Sequence, residues 1–225
     1  MPSSPTWPEI PPNACVVIPV GSYEQHGPHL PLDTDTQIAV HLCTVATQDI
    51  DCVVIAPPLS ITASGEHAGF PGTISIGTEA LVAVIVELVR SCDWASGVIL
   101  AHGHGGNLAA VQRATTLLHS EQRNVANWWP HIQGADAHAG HTETSLMMAI
   151  NPRLVRMDKL DIGNVQPIRE MQRDLQTRGV QAVSQNGILG NARTATAEHG
   201  DQLVAMLTED LRTFIHATCQ QWNNA

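Results

Sequence analysis

The stretch CVVIPVGSYEQHGPHLPLDTDT, from Cys15 to Thr36, joins a short apolar run to a loop rich in acidic and imidazole side chains. The apolar run predicts a buried β-strand. In an extended chain, residues two apart point to the same side, so we expect Glu24 and His26 to face one site and Gln25 to turn away. Asp35, farther along the loop, is a third side chain that can bind a metal ion. We therefore expect the rest of the chain to complete a metal site at the end of this strand.

Predicted strands and helices alternate along the chain. Short apolar runs typical of buried strands are followed by segments in which apolar residues recur at helical spacing. The predicted strands cover residues 15–20, 52–56, 97–101 and 124–129, with a brief one at 73–76, and the predicted helices cover 34–47, 78–91, 105–120, 142–151, 158–177 and 196–222. This alternation predicts an α/β fold with a mostly parallel sheet. Sites in such folds form at the carboxyl ends of the strands, so the loops after residues 20 and 101 should meet at one edge.

The composition indicates a globular protein rather than one that binds nucleic acid or a membrane. Apolar residues make up 43% of the 225 residues, and the formal net charge is −10. Nucleic acids and anionic membranes attract clusters of Lys and Arg, and we identify no such cluster. The longest apolar segment has about half the length of a membrane span. We predict a single domain over residues 1–225, with the proline-rich residues 1–13 as an N-terminal arm.

Cysteine usage and the N-terminal sequence predict a cytoplasmic protein. The five cysteines are an odd number, and no two are spaced as CxxC. Buried, reduced thiols are therefore expected. The N-terminal stretch MPSSPTWPEIPP has neither the basic start nor the apolar centre of a secretory signal peptide.

Acidic and imidazole residues cluster on the loops that follow the predicted strands. The clusters are Glu24-Gln25-His26 with Asp35, His102 to Asn107, Asp136 to Gly140, and Glu143 to Ser145. Mixed His and carboxylate ligands suit Zn, Fe(II) or Mn. A pair of such ions needs a bridging carboxylate, for which Asp35 is the natural candidate, and the pair can generate a hydroxide that attacks a carbonyl carbon.

Each cluster taken singly has a simpler explanation. A loop histidine is usually an ordinary polar residue, Asp35 could be a helix N-cap, and HGHGGN could be an anion-binding turn before a helix. The argument rests on their conjunction at the ends of successive strands. The residues alone therefore predict a metal-dependent hydrolase.

Four blocks of the sequence also carry a family resemblance. They are GSYEQHGPHLPLDTDT, SGEHAGFPGTISIG, HGHGGN and DAHAGHTETS. Together they resemble the creatininase (creatinine amidohydrolase) family. The resemblance implies a three-layer α/β/α sandwich with two divalent metal ions per subunit, built as a homo-oligomer, commonly a hexamer. The metal ligands that it implies are Glu24, His26, Asp35 as the bridge, His104 and Glu143.

One position departs from creatininase itself. That enzyme has a glutamate ligand two residues after the histidine that corresponds to His104, whereas this chain has Gly106. We expect Glu143 to replace it as a ligand and to take part in catalysis. The departure also makes creatinine a less suitable substrate. His138 falls where the family has a histidine that transfers protons, so the resemblance implies that His138 acts as a general acid and base.

A closer resemblance within the family, to the peptidases of the mycofactocin system, rests on GSYEQHGPHLPLDTDT, ASGEHAGFPGTISIGTEAL, DAHAGHTETS and GILGNARTATAEHG. This resemblance implies a small modified precursor peptide as substrate. Attack of a metal-bound hydroxide on its Gly–Val amide would release the modified C-terminal Val-Tyr dipeptide, and His138 would protonate the leaving amine. The loop residues expected to line the substrate site are Glu66, His67, Gly105, Gly106 and Asn107.

Two other functions stay open. A different amidohydrolase of the family would act on creatinine or on a formamide, although Gly106 argues against creatinine. A metal-binding protein without turnover would need a closed site of four protein ligands, and the predicted ligand set is open. His29 and His102 are expected to be buried partners rather than ligands. Trp128 and Trp129 should either pack at a subunit contact or line the pocket.

Overall fold

Four parallel strands form the central sheet of the computed structural model, which describes residues 5–224. The strands are β1 (Cys15–Val20), β2 (Val53–Ile55), β3 (Gly97–His102) and β4 (Val125–Trp128), in the order β2-β1-β3-β4. All three pairings are parallel, and Val17 of β1 pairs with Ile55 on one side and with Ile99 on the other. Val20 pairs with His102, so β1 and β3 end at the same level and their loops begin side by side.

Helices cover both faces of the sheet. They are α1 (Thr34–Ala46), α2 (Gly77–Arg90), α3 (Leu108–Ser120), α4 (His141–Ile150), α5 (Ile168–Arg178) and α6 (Ala197–Asn223). Helices α1, α4 and α6 pack together on one face, and α2 packs with α3 on the other. Helix α5 contacts the short turns at 65–67 and 180–182 instead of the sheet. The predicted three-layer α/β/α sandwich with a parallel sheet is confirmed.

The strands build a core on each side of the sheet because successive side chains alternate between its faces. In β3, Ile99 joins the cluster under α1, α4 and α6, whereas Val98 and Leu100 join the cluster under α2 and α3. All six residues of β3 are buried, as is typical of a parallel strand covered by helices on both faces. Each large apolar side chain buried in this way contributes about 1.5–3 kcal/mol of transfer free energy.

Three local predictions differ from the structure. Residues 73–76 do not form a strand, because the N–H of Ile74 donates to Tyr23 and that of Ile76 donates to Thr62, and both acceptors lie in loops. The region 158–177 is helical mainly over α5, which starts directly after Pro167, a residue that cannot sit in a helix interior. Helix α1 begins at Thr34, so its N-cap is Asp33 and not Asp35, which the sequence also allowed as a cap.

The N-terminal arm is described only in part, since residues 1–4 lie outside the described residues. Trp7–Glu9 form a short 3-10 turn, and the Glu9 carboxylate accepts hydrogen bonds from the backbone N–H and the hydroxyl of Thr6. Between residues 5 and 224, no helix is long and apolar enough to cross a membrane. All five cysteines are free thiols.

Candidate metal centre

The loop after β1 is held inside the protein by its own polar side chains. Ser22 donates a hydrogen bond of 2.8 Å from its hydroxyl to Asp35 Oδ2, and Thr36 donates one of 3.0 Å to the Ser22 carbonyl. Helix α1 starts at Thr34, which places Asp35 in its first turn with its carboxylate buried. The loop therefore returns on itself and brings Asp35 next to the residues that directly follow β1.

Asp35 lies between two buried histidines. Its Oδ1 atom is 3.0 Å from His26 Nε2, and its Oδ2 atom is 3.2 Å from His104 Nδ1. His26 comes from the loop after β1 and His104 from the loop after β3, the two loops that start side by side at the sheet edge. One carboxylate thus offers a different oxygen to each of two neighbouring positions, as a bridging ligand requires.

Two groups of three potential ligands share this carboxylate. They are Glu24, Asp35 and His104 on one side, and His26, Asp35 and Glu143 on the other. In each group the ligand atoms lie within 4.8 Å of one another. Two further groups, Glu24 with His26 and His138, and Glu24 with Glu66 and His67, meet the same criterion. The structure therefore brings together all five side chains predicted as ligands.

The carboxylate of Glu24 is the feature that most clearly fits a cation site. It is fully buried, and neither of its oxygens accepts a hydrogen bond from residues 5–224. His104 Nε2 is 3.2 Å from Oε2 and His67 Nε2 is 3.3 Å from Oε1, close enough for ion pairing but without hydrogen-bond geometry. A buried carboxylate without a partner costs several kcal/mol. Carboxylate and imidazole donors around it fit a divalent ion such as Zn, Fe(II) or Mn.

The protonation equilibria report the same excess of negative charge. Burial lowers the pKa of His26, but the nearby Asp35 outweighs it, with help from Glu143, and raises this pKa to about 10. Burial likewise lowers the pKa of His104, and Glu24 and Asp35 overcome it, so the pKa lies well above its usual value. The carboxylates therefore stabilise positive charge at this site. Protons supply it in the metal-free protein, and divalent ions can replace them.

Glu143 is positioned by a strained backbone. Ala139 has φ +51°, a left-handed conformation unusual for a residue with a side chain, and its N–H donates to Glu143 Oε2 at 2.5 Å. Burial raises the pKa of Glu143 to about 7, opposed by the nearby His26. Such outliers persist where surrounding contacts hold them, often at functional sites. Asp136 fixes the residues that follow this turn, because its carboxylate accepts hydrogen bonds from the N–H groups of Thr142 and His141 at the start of α4.

His138 is buried next to Glu24. Its Nε2 atom lies 2.8 Å from the carbonyl oxygen of Gln25, so an Nε2–H donates there and leaves Nδ1 as the acceptor. Nδ1 is 3.8 Å from Glu24 Oε1. Burial, reinforced by His26 and His67, holds the pKa of His138 well below its usual value. His138 is therefore a neutral imidazole whose free nitrogen faces the candidate metal centre.

Gln25 contradicts the expectation that it turns away. Its buried side-chain amide donates from Nε2 to His67 Nδ1 at 2.9 Å and to the Gly187 carbonyl at 3.0 Å, and its backbone carbonyl accepts from His138. The extended-chain argument fails because residues 21–25 form a loop rather than a strand. Gln25 therefore helps to position two of the imidazoles around Glu24. The two-residue spacing of Glu24 and His26 does not predict this role of Gln25.

A cavity of about 920 Å³ opens above the centre. Its floor includes Asp35, His104, His138 and Glu143, and its lining includes Glu66, His67, Gly105 and Gly106.

Asn107 does not fit the prediction that it lines this space. It is fully buried, accepts a hydrogen bond from the N–H of Ala63 and donates one to the carbonyl of Gly21, so it links three loops. Residues of α5 form much of the remaining wall, which the sequence did not assign to the site.

Structural contacts hold the two histidines and two tryptophans that the sequence left outside the ligand set, which are His29, His102, Trp128 and Trp129. His29 Nε2 lies 2.8 Å from the Thr144 hydroxyl, and the ring of His102 stacks on Trp129 with centroids 3.9 Å apart. Trp128 is a core residue whose indole N–H donates to Asp210. Neither tryptophan lines the cavity.

Sequence comparison assigns the family. The profile of the creatininase family, described as creatinine amidohydrolase, matches residues 3–215. The chain belongs to the creatininase family. The resemblance of the four sequence blocks is thereby confirmed, and the protein is a creatininase-family hydrolase.

Several relatives are similar along most of their length. The mycofactocin precursor peptide peptidase of Mycolicibacterium smegmatis is 51% identical over 84% of this chain and 79% of its own. The protein of the same name from Mycobacterium ulcerans is 45% identical over 91% of this chain and 83% of its own. The creatinine amidohydrolase of Pseudomonas putida is 26% identical over 88% of this chain and 87% of its own. Identity is thus much higher to the two peptidases.

Solved creatininases share the fold. A mutant creatininase described as the Zn-Zn type superposes with a TM-score of 0.76 at 21% identity, covering 91% of this chain and 90% of its own. A creatininase described with Mn superposes with a TM-score of 0.73 at 22% identity, covering 91% of each chain. These two creatininases are thus described with different divalent metals.

Proposed function

We propose that this creatininase-family hydrolase is a metal-dependent peptidase that cleaves a small modified precursor peptide. Its mycobacterial relatives carry the name mycofactocin precursor peptide peptidase. The cleaved bond is the Gly–Val amide, and the product is the modified C-terminal Val-Tyr dipeptide. One observation carries the proposal. Two groups of ligands share Asp35 at the floor of a cavity whose volume of about 920 Å³ accommodates more than a single amide group.

The chain offers ligands for two divalent ions per subunit. Glu24, Asp35 and His104 would hold one, and His26, Asp35 and Glu143 the other. When bound, such a pair lowers the pKa of a water molecule and polarises the scissile carbonyl. Glu143 would supply to the second ion the carboxylate that position 106 does not provide, and its Oε2 atom lies 3.8 Å from His26 Nε2. Glu66 and His67, which also line the cavity, would orient the peptide.

His138 is the proton carrier of the proposed reaction. Its Nε2–H is fixed on the Gln25 carbonyl, so Nδ1 is the nitrogen that exchanges protons at the site. A neutral imidazole can take a proton from the nucleophile and return it to the leaving amine. Its burial and the neighbouring histidines keep it neutral.

The alternative is another amidohydrolase of the family, acting on creatinine or a formamide. The higher identity to the peptidases and the size of the cavity favour the peptide. Zn, Fe(II) and Mn all suit the ligand set. A cytoplasmic location and assembly as a homo-oligomer such as a hexamer complete the proposal.

Hydrolysis by purified protein tests the function. The metal-free protein is loaded separately with Zn, Fe(II) or Mn and incubated with the modified precursor peptide, its unmodified form, creatinine and a formamide, and the products are identified by mass spectrometry. We expect release of the modified Val-Tyr unit from the modified peptide, and its loss after chelation. Hydrolysis of creatinine or the formamide with an intact peptide would instead support the alternative.

A further inference from the structure

The basic residues of this acidic chain are concentrated in one segment. Seven of the eleven Lys and Arg residues lie between residues 153 and 193, against four acidic residues there. The rest of the chain has four basic and seventeen acidic residues. One segment is therefore net positive within a chain whose formal charge is −10. This contrast creates a local field that attracts negatively charged partners.

Part of that segment forms a wall of the cavity above the metal centre. The lining residues from α5 are Ile168, Arg169, Gln172, Leu175, Gln176 and Arg178, together with Thr177. Most of these recur at helical spacing, so one side of α5 faces the cavity. The acidic residues of the helix, Glu170 and Asp174, are not part of the lining. The side of α5 that faces the cavity thus carries arginines without carboxylates.

The arginines of this wall are available to a ligand. Arg169 is exposed and forms no ion pair within residues 5–224, and Arg173, one turn later, carries the same charge. Like charges at this spacing destabilise a helix slightly, so the two arginines do not stabilise α5. Arg178 has Asp174 at 3.7 Å, but both side chains are at least half exposed, and such a pair contributes little. Neither guanidinium on the wall is committed to a strong partner.

We propose that this wall, Arg169 and Arg178 of α5, binds acidic side chains of the peptide substrate. A guanidinium matches a carboxylate with two parallel hydrogen bonds, whereas neutral side chains gain no such contact. The carboxylates in the cavity, Asp35, Glu66 and Glu143, belong to the floor and its margin, where the proposed metal ions would offset the charges of Asp35 and Glu143. The inference rests on the proposed peptidase function and specifies which peptides the site prefers: those with Asp or Glu side chains beside the scissile bond.

Steady-state kinetics with matched variants test the wall. Arg169→Gln, Arg178→Gln and the double variant are compared with Arg153→Gln, which removes an exposed arginine of the same segment that does not line the cavity. Each enzyme is assayed on a peptide with acidic side chains and on its Asn/Gln counterpart, both with a C-terminal acid and with a C-terminal amide. We expect the double variant to raise KM for the acidic peptide about tenfold with little change in kcat. The neutral peptide and Arg153→Gln should change less than about twofold.

Other outcomes overturn the proposal. An equal rise in KM for the acidic and neutral peptides would mean that the arginines only maintain the wall. A rise that depends on the C-terminal acid and not on the side chains would assign them to the terminal carboxylate. Unchanged KM in all variants would show that the wall does not bind the peptide.

Direct binding separates this inference from the proposed function. Fluorescence anisotropy measures the affinity of wild type and variants for a labelled acidic peptide whose scissile amide is replaced by a non-hydrolysable methylene-amine. We expect binding to weaken with ionic strength in the wild type and to lose most of that dependence in the double variant. If wild type cleaves no peptide, the peptidase function fails, yet this measurement still decides whether the wall recognises carboxylates. Equal affinity of wild type and double variant would refute the inference.

Discussion

Gly106 lies so close to Glu66 that any Cβ atom at position 106 would overlap the Glu66 Oε1 atom. The same Cβ would press on His104 Nε2 and would approach the Ala63 carbonyl to 3.0 Å. Glu66 Oε1 is itself 3.4 Å from His104 Nε2. The absence of a side chain at position 106 therefore makes room for a carboxylate from a different loop, beside a candidate metal ligand.

Substitution of Gly106 should disturb the metal centre. We expect Gly106→Ala to displace Glu66 and His104, to lower the free energy of unfolding by about 1–3 kcal/mol, and to reduce the metal content. Urea unfolding and elemental analysis measure the two effects. Gly105→Ala is the matched control, because a Cβ there meets no atom within 4 Å. Equal behaviour of the two variants would contradict the crowding argument.

The bridging position of Asp35 predicts that one substitution affects both metal ions. Asp35→Ala removes an oxygen from each ligand group, so we expect loss of both ions and a fall in kcat of more than about 100-fold. Asp33→Ala is the control, because Asp33 is the helix N-cap and accepts a hydrogen bond from Gln37 outside the site. Elemental analysis of the purified variants gives the result. A variant that keeps both ions and full activity would show that Asp35 is no bridge.

The layers of the fold could be predicted because strand and helix periodicities are local. The buried runs that became β1 and β3 and the helical spacing of α1, α2 and α6 identify the α/β/α architecture, and the predicted bounds agree within two residues. The strand predicted at 73–76 was wrong. Polar and apolar residues alternate there as in a strand, but the hydrogen-bond partners of this stretch lie in other loops. Contacts of this kind leave no periodic signal.

The candidate ligands were predictable as residue types at strand ends, but their supporting contacts were not. Gln25, Ala139 and the wall of α5 depend on how loops far apart in sequence meet. The side-chain hydrogen bonds of Gln25 reach His67 and Gly187, its backbone carbonyl accepts from His138, and no sequence spacing specifies these partners. Asn107 is the opposite case. The sequence predicted that it lines the substrate site, but its side chain is used in hydrogen bonds that hold other loops together.

His138 should affect proton transfer more than metal binding. We expect His138→Asn to reduce kcat by about 100- to 10,000-fold while most of the metal content is retained. The matched control is His141→Asn, because His141 contacts Thr194 and His199 outside the centre. Activity assays and elemental analysis on the same preparations give both quantities. A loss of metal in proportion to activity would show that His138 acts as a ligand, as its closeness to Glu24 and His26 permits.

The stability of the protein should fall in mild acid partly because of His29. Burial, with a contribution from His26, lowers the pKa of His29 to about 4. The unfolded chain has the ordinary histidine pKa of about 6.5, so between pH 6.5 and 4 the unfolded state binds more protons and the folded state loses stability as pH falls. Between pH 7 and 5 this group alone should account for about 2 kcal/mol at most.

Urea unfolding of metal-loaded protein at pH 7 and pH 5 checks the contribution of His29. His29→Asn removes the titrating group, so we expect the variant to be less stable than wild type at pH 7, where it loses the contact with Thr144, but to lose less stability on acidification. His131→Asn, at an exposed position, should leave the difference between the two pH values unchanged. Elemental analysis at each pH identifies the conditions in which both proteins hold the same metal content, and there the difference between variant and wild type isolates His29. An identical acid loss in His29→Asn and wild type would mean that the imidazole is not the group that titrates in this range.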